Sequence, residues 1–191
     1  VRRGLDIYSD IRSKEADHEP PYGIHTSVSE LKPHFDKMKW DWNDYFKFTI
    51  VRNPWSRLVS NYNYKMKSKY MWETYKKGNS AHYKDCVKFA EKFKNFKDYV
   101  MSDGVELLTP LTWYIGDHSG NILIDYVGKN ENLQNDFDTI CDKIGIPKQK
   151  LPYKNKSKHK HYTEFYDEET RSIVAEKYAK DIEYFGYEFD K

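Results

Sequence analysis

Cysteine is scarce in this sequence, with Cys86 and Cys141 the two present among 191 residues. Two cysteines at that separation form neither a disulfide framework nor a zinc-binding pattern, so we predict buried thiols, with a single bridge as the alternative. Long apolar runs are missing too: no stretch approaches the roughly 20 residues of a membrane-spanning helix, and no signal peptide opens the chain. These absences predict a soluble protein.

A large net charge is also missing. Lys and Arg total 32 while Asp and Glu total 30, which gives a formal net charge of +2. Because no basic field covers the whole molecule, a general nucleic-acid binder is disfavoured, and any anion binding must depend on local clusters. Metal-binding spacings such as HExxH and the phosphate-binding pattern Gly-x-x-x-x-Gly-Lys do not occur, so we predict no metal site and disfavour a nucleotide kinase.

Aromatic residues, by contrast, are abundant, and no repeat or low-complexity linker interrupts the chain. The 17 tyrosines argue against a disordered chain. They fit either a surface that handles sugars or bases, or ordinary half-buried packing. The length suits one domain with a sizeable core, so we predict a single domain over residues 1–191.

Apolar residues follow strand-like spacing in some segments and helix-like spacing in others. Buried strands are predicted at Tyr45–Arg52 and Asn121–Val127, and Leu58 and Val59 are predicted core residues. The predicted helices run from Ser27 or Ser29 to about Met38, from Pro54 to about Tyr70, singly or as a pair within Tyr83–Met101, from Glu131 to Ile144, and from about Asp167 to Phe185. This order predicts an α/β fold with a mainly parallel sheet, whose ligands bind beyond the carboxyl ends of the strands.

The stretch FKFTIVRNPWSRLVS, residues 46–60, carries the clearest site. Arg52 ends the first predicted strand, and Asn53 and Pro54 fit the N-cap and first position of the next helix. Free N–H groups and the helix dipole are therefore predicted to face the same point as Arg52. Arg57 and Ser60 share a helix face with Asn53. This set predicts a phosphate site, the alternative being that both arginines pair with surface carboxylates.

At these residues the sequence resembles a known family. IVRNPWSRLVS resembles the second nucleotide-binding motif of the carbohydrate sulfotransferases, which include heparan sulfate 2-O-sulfotransferase and many bacterial relatives. The segments DYFKF, LIDYVGKNENLQNDF, LPYKNKSKHKHYTEFYDEET and YAKDIEYFGYEF resemble the same family in the same order. The resemblance covers the chain from about His25 and implies a P-loop NTPase-like sulfotransferase fold. It implies that Arg52 and Ser60, with Arg57 beside them, bind the 3′-phosphate of the donor PAPS (3′-phosphoadenosine-5′-phosphosulfate).

Two further site predictions follow from the resemblance. The lysine-rich stretch KNKSKHKHY corresponds to a segment that closes over the nucleotide in the family, which assigns Lys156, Ser157 and Lys158 to donor binding. A solvated basic loop is the alternative. The stretch YGIHTSVSEL resembles the one that supplies the catalytic histidine in the 2-O-sulfotransferase group, so His25 is the predicted general base. Its alternative role is capping or packing before the first helix.

One family motif is missing. A strand followed by a loop rich in lysine, glycine and serine or threonine, which grips the 5′-phosphosulfate, is expected before His25. The segment Lys76–Ser80 has a similar composition, but it follows no predicted strand and lies on the wrong side of Arg52. Three explanations stay open: the loop lies upstream of Val1, an unrelated segment replaces it, or the chain is inactive. We favour the first and expect a domain without that strand and loop, whose activity on its own is in question.

The sequence thus predicts a PAPS-dependent sulfotransferase that moves a sulfuryl group to a hydroxyl, with a glycan or glycolipid as the favoured acceptor and PAP (adenosine 3′,5′-bisphosphate) as the product. A non-catalytic binder of nucleotide, or of sulfated or phosphorylated glycans, is the alternative. No nucleic-acid partner is expected. The favoured compartment is the bacterial cytoplasm, with the Golgi lumen as the alternative for a eukaryotic domain cut from its membrane anchor.

Overall fold

The structure of the protein is a computed structural model. It describes residues 26–75, 81–102, 108–117, 119–152 and 160–190, with the backbone alone for 69–75 and 81–83. The chain divides into two compact units. We call residues 1–51 and 111–151 the sheet unit and residues 52–110 and 152–191 the helical unit. The prediction of one sulfotransferase domain stays a prediction.

Helices predominate in both units. In chain order the described elements are α1 (Val28–Met38), β1 (Phe48–Val51), α2 (Pro54–Tyr75), α3 (Ala81–Lys92), α4 (Phe96–Val100), α5 (Leu111–Ile115), β2 (Tyr126–Lys129), α6 (Leu133–Ile144), α7 (Glu168–Lys177) and α8 (Ala179–Phe185). Short 3₁₀ turns lie at Trp42–Asp44, Asn130–Asn132 and Tyr162–Phe165. Sequence analysis predicted every one of the longer helices, and α5 is an addition.

Helix α1 begins with a capping box in the sheet unit. The Ser27 hydroxyl accepts the Glu30 backbone N–H at 3.3 Å, and the Glu30 carboxylate accepts the Ser27 backbone N–H at 2.7 Å. These reciprocal bonds satisfy two donors that a helix start would otherwise leave unpaired. Of the two predicted caps, Ser27 and Ser29, the structure therefore shows Ser27. On the same helix Phe35 is buried, and its ring meets the rings of Trp40, Trp42 and Tyr45 edge-on.

Strands β1 and β2 pair in parallel, with Phe48 opposite Tyr126 and Val51 opposite Lys129. The predicted parallel pairing is therefore confirmed for the described strands. The predicted burial is wrong in part, since Phe48 is 47% exposed and only Val51 within β1 is fully buried. Both strands are also shorter than the predicted Tyr45–Arg52 and Asn121–Val127.

The starts of the two strands are fastened by one ion pair. The Lys47 ammonium lies 2.9 Å from the Asp125 carboxylate, which also accepts the Lys47 backbone N–H at 2.8 Å. The same ammonium donates to the carbonyl of Tyr45 at 2.9 Å. The backbone N–H of Lys47 is thus bonded to the Asp125 side chain and not to the backbone of a neighbouring strand. The regular strand β1 begins at the next residue, Phe48.

A turn after α5 displaces the start of β2. The Asp117 carboxylate accepts the backbone N–H groups of Ser119 at 2.9 Å and Asn121 at 2.8 Å. The Asn121 side-chain amide, together with these backbone donors, holds the pKa of the Asp117 carboxyl below its ordinary value. Ile122 then forms an isolated antiparallel bridge with Gly116, so the residues predicted to open the second strand belong to this turn.

Helix α6 is fastened to β2 by Asp136. Its carboxylate accepts the Lys129 backbone N–H at 2.5 Å and the Tyr126 hydroxyl at 2.8 Å. Burial, followed by this bond, raises the pKa of Tyr126. The helix ends, as predicted, at Gly145, whose φ of 75° is the left-handed conformation that favours glycine.

Gly128 lies in β2 where α6 passes closest. A Cβ added there would lie 2.6 Å from Ile50 Cδ1 and 2.9 Å from Asp136 Cβ. Ile50 can turn its terminal methyl group away, but Asp136 Cβ moves only with the helix backbone. We therefore expect Gly128→Ala to lower the free energy of unfolding by about 1–3 kcal/mol, measured by urea denaturation.

The matched control for this change is Gly145→Ala. A Cβ at Gly145 meets no atom within 4 Å, so its cost comes from the positive φ alone and amounts to about 1 kcal/mol. A close approach between α6 and β2 would be contradicted if Gly128→Ala did not lower the free energy of unfolding. It would also be contradicted if adding Ile50→Val alone restored the wild-type value.

An aromatic core fills the helical unit. Leu58 and Val59 of α2 are fully buried, as predicted, and the predicted pair of helices after α2 appears as α3 and α4. Helix α2 extends to Tyr75, beyond the predicted end at about Tyr70. The core consists of Trp55, Leu58, Val59, Tyr62, Phe89, Phe93, Phe96, Tyr99, Val100, Val174 and Tyr178. Many of these rings meet edge-to-face, a geometry that stabilises aromatic pairs beyond the area they bury.

The last predicted helix is divided into α7 and α8 by Tyr178. This residue leaves helical geometry, with φ −111° and ψ 23°, and its buried hydroxyl donates to the Leu108 carbonyl at 2.5 Å. The prediction of one continuous helix from about Asp167 to Phe185 is therefore wrong, because the helix is interrupted at Tyr178. Its ends are confirmed: Asp167 caps α7 by accepting the Thr170 N–H at 2.9 Å, and Gly186 follows α8 with φ 64°.

Two composition-based predictions bear on this fold. Cys86 and Cys141 are both buried free thiols, as predicted, and burial raises the pKa of the Cys86 thiol. Across the described ranges, no helix combines the length and apolar character needed to cross a membrane.

Candidate functional site

Arg52 and Asn53 separate β1 from α2 in the chain. Asn53 is the N-cap that the sequence predicted, because its side-chain oxygen accepts the backbone N–H groups of Trp55 at 3.1 Å and Ser56 at 3.3 Å. Its side-chain amide donates to the Glu188 carbonyl at 2.8 Å. Since Asn53 is 1% exposed and bonded through both ends of its amide, the start of α2 is fixed in place.

This capping overturns part of the predicted anion site. The sequence predicted free N–H groups at the helix start, but Pro54 has no N–H, and those of Trp55 and Ser56 are bonded to Asn53. The next one, on Arg57, donates to the Asn53 carbonyl at 2.8 Å. The prediction of free backbone donors is therefore wrong for Trp55, Ser56 and Arg57, and the side chains at this helix start are the remaining candidates for contact with an anion.

Arg52 and Ser56 form the central side-chain contact of the site. Arg52 Nε donates to Ser56 Oγ at 3.0 Å, and both residues are half-buried. Ser60 is also half-buried and lies one turn beyond Ser56 on the same helix face. A guanidinium and two hydroxyls thus line the first two turns of α2, a donor set that suits a phosphate group.

Arg57 has a different partner. Its Nη1 donates to the Thr109 carbonyl at 2.8 Å, next to the Leu108 carbonyl that accepts the Tyr178 hydroxyl. Burial raises the pKa of Tyr178, and the charge of Arg57 opposes that shift. Arg57 therefore helps to hold the chain before Pro110, a contact that the sequence did not predict.

The remaining predicted site residues lie outside the described residues. They are His25, Lys156, Ser157 and Lys158. His25 precedes the Ser27 cap of α1 by two positions in the sequence. The described chain resumes within the lysine-rich stretch at Lys160, whose ammonium pairs with Glu164 at 3.7 Å. The structure thus places Arg57 and Ser60 on the first two turns of α2, and Arg52 directly before the Asn53 cap of that helix.

A metal centre has no candidate in the part of the chain that the structure describes. No group of three or more His, Cys, Asp or Glu residues there could hold an ion. For the whole chain, the absence of a metal site stays a prediction. What the described residues do offer is cationic and hydroxyl groups, which suit the binding of an oxyanion.

Comparison with known proteins decides the family. The model described as Sulfotransferase family matches residues 7–188, which is nearly the whole chain. The chain belongs to the sulfotransferase family. This confirms the resemblance that the motifs indicated and supports sulfuryl transfer as the general activity. The helices and small parallel sheet are compatible with the α/β fold of sulfotransferases.

One relative and the solved structures complete the comparison. An uncharacterized protein of Archaeoglobus fulgidus is 27% identical to this sulfotransferase over 107 residues, which are 55% of this chain and 72% of that protein. No solved structure matches. The family assignment therefore depends on the family model and on the motifs.

Sequence reasoning missed Ser56. The signal was visible, because Ser56 lies in the first turn of the predicted helix, four residues after Arg52. Sequence reasoning also missed that Asp136 fastens α6 to β2. A glycine within a predicted strand, here Gly128, can indicate a close approach by another element, and Asp136 lies at that approach. Glu131, the predicted start of the helix that ends at Ile144, lies in the 3₁₀ turn before α6.

Proposed function

We propose that this sulfotransferase is PAPS-dependent and transfers a sulfuryl group to a hydroxyl, with a glycan or glycolipid as the acceptor. The observation that carries the proposal is the Arg52 guanidinium held 3.0 Å from Ser56 Oγ at the start of α2. Ser60 lies one turn further along the same face. A phosphate monoester is close to a dianion at neutral pH and accepts charge-assisted hydrogen bonds from such groups.

The residues at the start of α2 fit a nucleotide 3′-phosphate. In our proposal Arg52 and Ser60 bind this phosphate, and Arg57 adds its charge from the same face while its Nη1 bonds to Thr109. In the same proposal Lys156, Ser157 and Lys158 bind the other negatively charged groups of the sulfate donor PAPS. A parallel strand followed by a helix, as in β1 and α2, supports a P-loop NTPase-like domain, in which ligands bind at the carboxyl ends of strands.

The chemistry is an in-line displacement at sulfur. PAPS supplies the sulfuryl group when bound. The acceptor oxygen forms a bond to sulfur while the sulfur–oxygen bond to the 5′-phosphate breaks, and the phosphate oxygen keeps the electron pair. His25 takes the proton of the acceptor hydroxyl as a general base, and the products are a sulfate ester and PAP.

The first test is calorimetric titration of PAP and of AMP (adenosine 5′-monophosphate) into the wild-type chain. The two nucleotides differ in the 3′-phosphate alone. We expect PAP to bind at least about 100-fold more tightly, because hydrogen bonds to a charged group each contribute roughly 1.5–3 kcal/mol. Equal affinities would overturn the PAPS proposal.

A second measurement separates an enzyme from a binding protein. Labelled PAPS is incubated with the chain and a panel of sugars, and transfer of the label to a sugar hydroxyl is followed. Transfer supports the sulfotransferase proposal. Preference for PAP without transfer to any hydroxyl would instead favour the non-catalytic nucleotide or glycan binder.

A further inference from the structure

Ser56 presents a fixed hydrogen-bond acceptor to Arg52. The Ser56 backbone N–H is bonded to the Asn53 side chain at 3.3 Å, and Asn53 is in turn bonded to the Glu188 carbonyl. The Ser56 Cα position is therefore set by a buried cap rather than by a fraying helix end. Its Oγ accepts the Arg52 Nε–H at 3.0 Å, so the guanidinium has a rigid support.

The Ser56 contact distinguishes two modes in which Arg52 can bind an anion. A guanidinium carries five N–H donors, one on Nε and four on the two Nη atoms. Arginine can bind a phosphate through Nε and one Nη, or end-on through both Nη atoms. Because Nε is bonded to Ser56, the end-on mode keeps this contact intact, whereas the other mode requires it to break.

We propose that Ser56 is a positioning residue that holds Arg52 for end-on binding of the 3′-phosphate through its two Nη atoms. This inference depends on the proposed function, which assigns Arg52 to that phosphate. Ser56 acts through Arg52 and does not bind the phosphate itself. Its hydroxyl restricts the rotamers of a long side chain before binding, and such preorganisation raises affinity by reducing the entropy lost on association.

The test measures PAP and AMP affinities for Ser56→Ala and Ser56→Thr. Ser56→Ala is expected to weaken PAP binding about tenfold and to leave AMP binding within about twofold, since a single hydrogen bond to a charged group is removed. Ser56→Thr keeps the hydroxyl and restores PAP affinity. Alanine suits an early helix position, and the backbone bond to Asn53 is kept, so both variants are expected to fold, which thermal unfolding checks.

A double-mutant cycle tests whether Ser56 acts through Arg52. Lysine has no Nε–H in the arginine position, so in an Arg52→Lys background Ser56→Ala is expected to change PAP affinity by less than about twofold. The matched control is Ser172→Ala. Ser172 is an exposed helix serine whose hydroxyl bonds to the Glu168 carbonyl of its own helix at 2.9 Å, and its loss is expected to leave both affinities unchanged.

The possible outcomes are distinct. A tenfold loss that vanishes in the Arg52→Lys background supports the positioning role. An equal loss in both backgrounds overturns it, because Ser56 would then act on the phosphate or the fold directly. Unchanged PAP affinity in Ser56→Ala, with the wild-type preference for PAP intact, overturns this inference alone. Loss of that preference in the wild-type chain overturns the proposed function.

Discussion

Arg52→Ala is expected to weaken PAP binding by about 100-fold or more while AMP binding changes by less than about twofold. Under the proposed function the variant removes a guanidinium that binds the 3′-phosphate, and truncating one member of a hydrogen-bonded charge pair costs roughly 2–5 kcal/mol. AMP lacks that phosphate, so the substitution should have little effect on AMP affinity. Calorimetric titration of both nucleotides into both proteins measures the difference.

Arg171→Ala is the matched control for the loss of one positive charge. Arg171 lies on α7, pairs with Glu168 at 3.9 Å and stacks on Phe189 at 4.8 Å. Its carbonyl, which accepts the Trp55 indole N–H at 3.1 Å, is retained in the variant. PAP affinity should stay unchanged. Equal losses for PAP and AMP in Arg52→Ala would show that Arg52 supports the fold rather than the 3′-phosphate.

His25→Ala is expected to lower the rate of sulfuryl transfer on the order of 100- to 10,000-fold, the range in which general-base catalysis contributes. PAP affinity should remain at the wild-type value, because in the proposed mechanism the base contacts the acceptor hydroxyl and not the nucleotide. Initial rates with labelled PAPS, measured beside calorimetric titration of PAP, separate the two effects.

The pH profile gives an independent check on His25. A histidine base must be neutral to accept a proton, so wild-type transfer should fall as pH drops through the ordinary histidine pKa of about 6.5. His25→Ala should lack this acidic limb. The control is His34→Ala on α1, whose ring packs edge-on against Trp40 at 6.0 Å. A parallel fall in PAP affinity in His25→Ala would assign that residue to donor binding instead.

Local signals explain which parts of the fold the sequence could predict. The Ser27 cap and the end of α6 at Gly145 depend on residues within a few positions of each helix end, and both predictions are confirmed. Leu58 and Val59 were predicted from helical spacing and are fully buried. In each case the deciding interactions lie within one or two turns of the chain.

The predictions that failed depend on distant partners. The break at Tyr178 accompanies a bond to Leu108, 70 positions away. The strand starts depend on the contact between Lys47 and Asp125, which are separated by 78 positions. The spacing of apolar residues within one segment gives no information about contacts with distant segments. The sequence therefore locates the strand starts and the helix break only to within a few residues.

In the candidate site, too, local features could be predicted from the sequence and features that depend on distant residues could not. The family motif predicted Arg52 and Ser60, and helix geometry places Ser56 between them. The sequence could not show that the helix N–H groups are occupied, because this depends on the orientation of the Asn53 side chain. That orientation is fixed by the carbonyl of Glu188, 135 positions away.

The occupied helix start has a consequence for how this protein can change over evolutionary time. In a backbone anion site the donors belong to the main chain, so no single substitution removes them without altering the loop. Here Asn53 uses the backbone donors, so in the proposed site anion preference depends on the side chains of Ser60 and of Arg52, which Ser56 positions. Under the proposed function, single substitutions at positions 52, 56 and 60 can therefore change ligand preference without altering the backbone, and these positions are where divergent relatives should be compared.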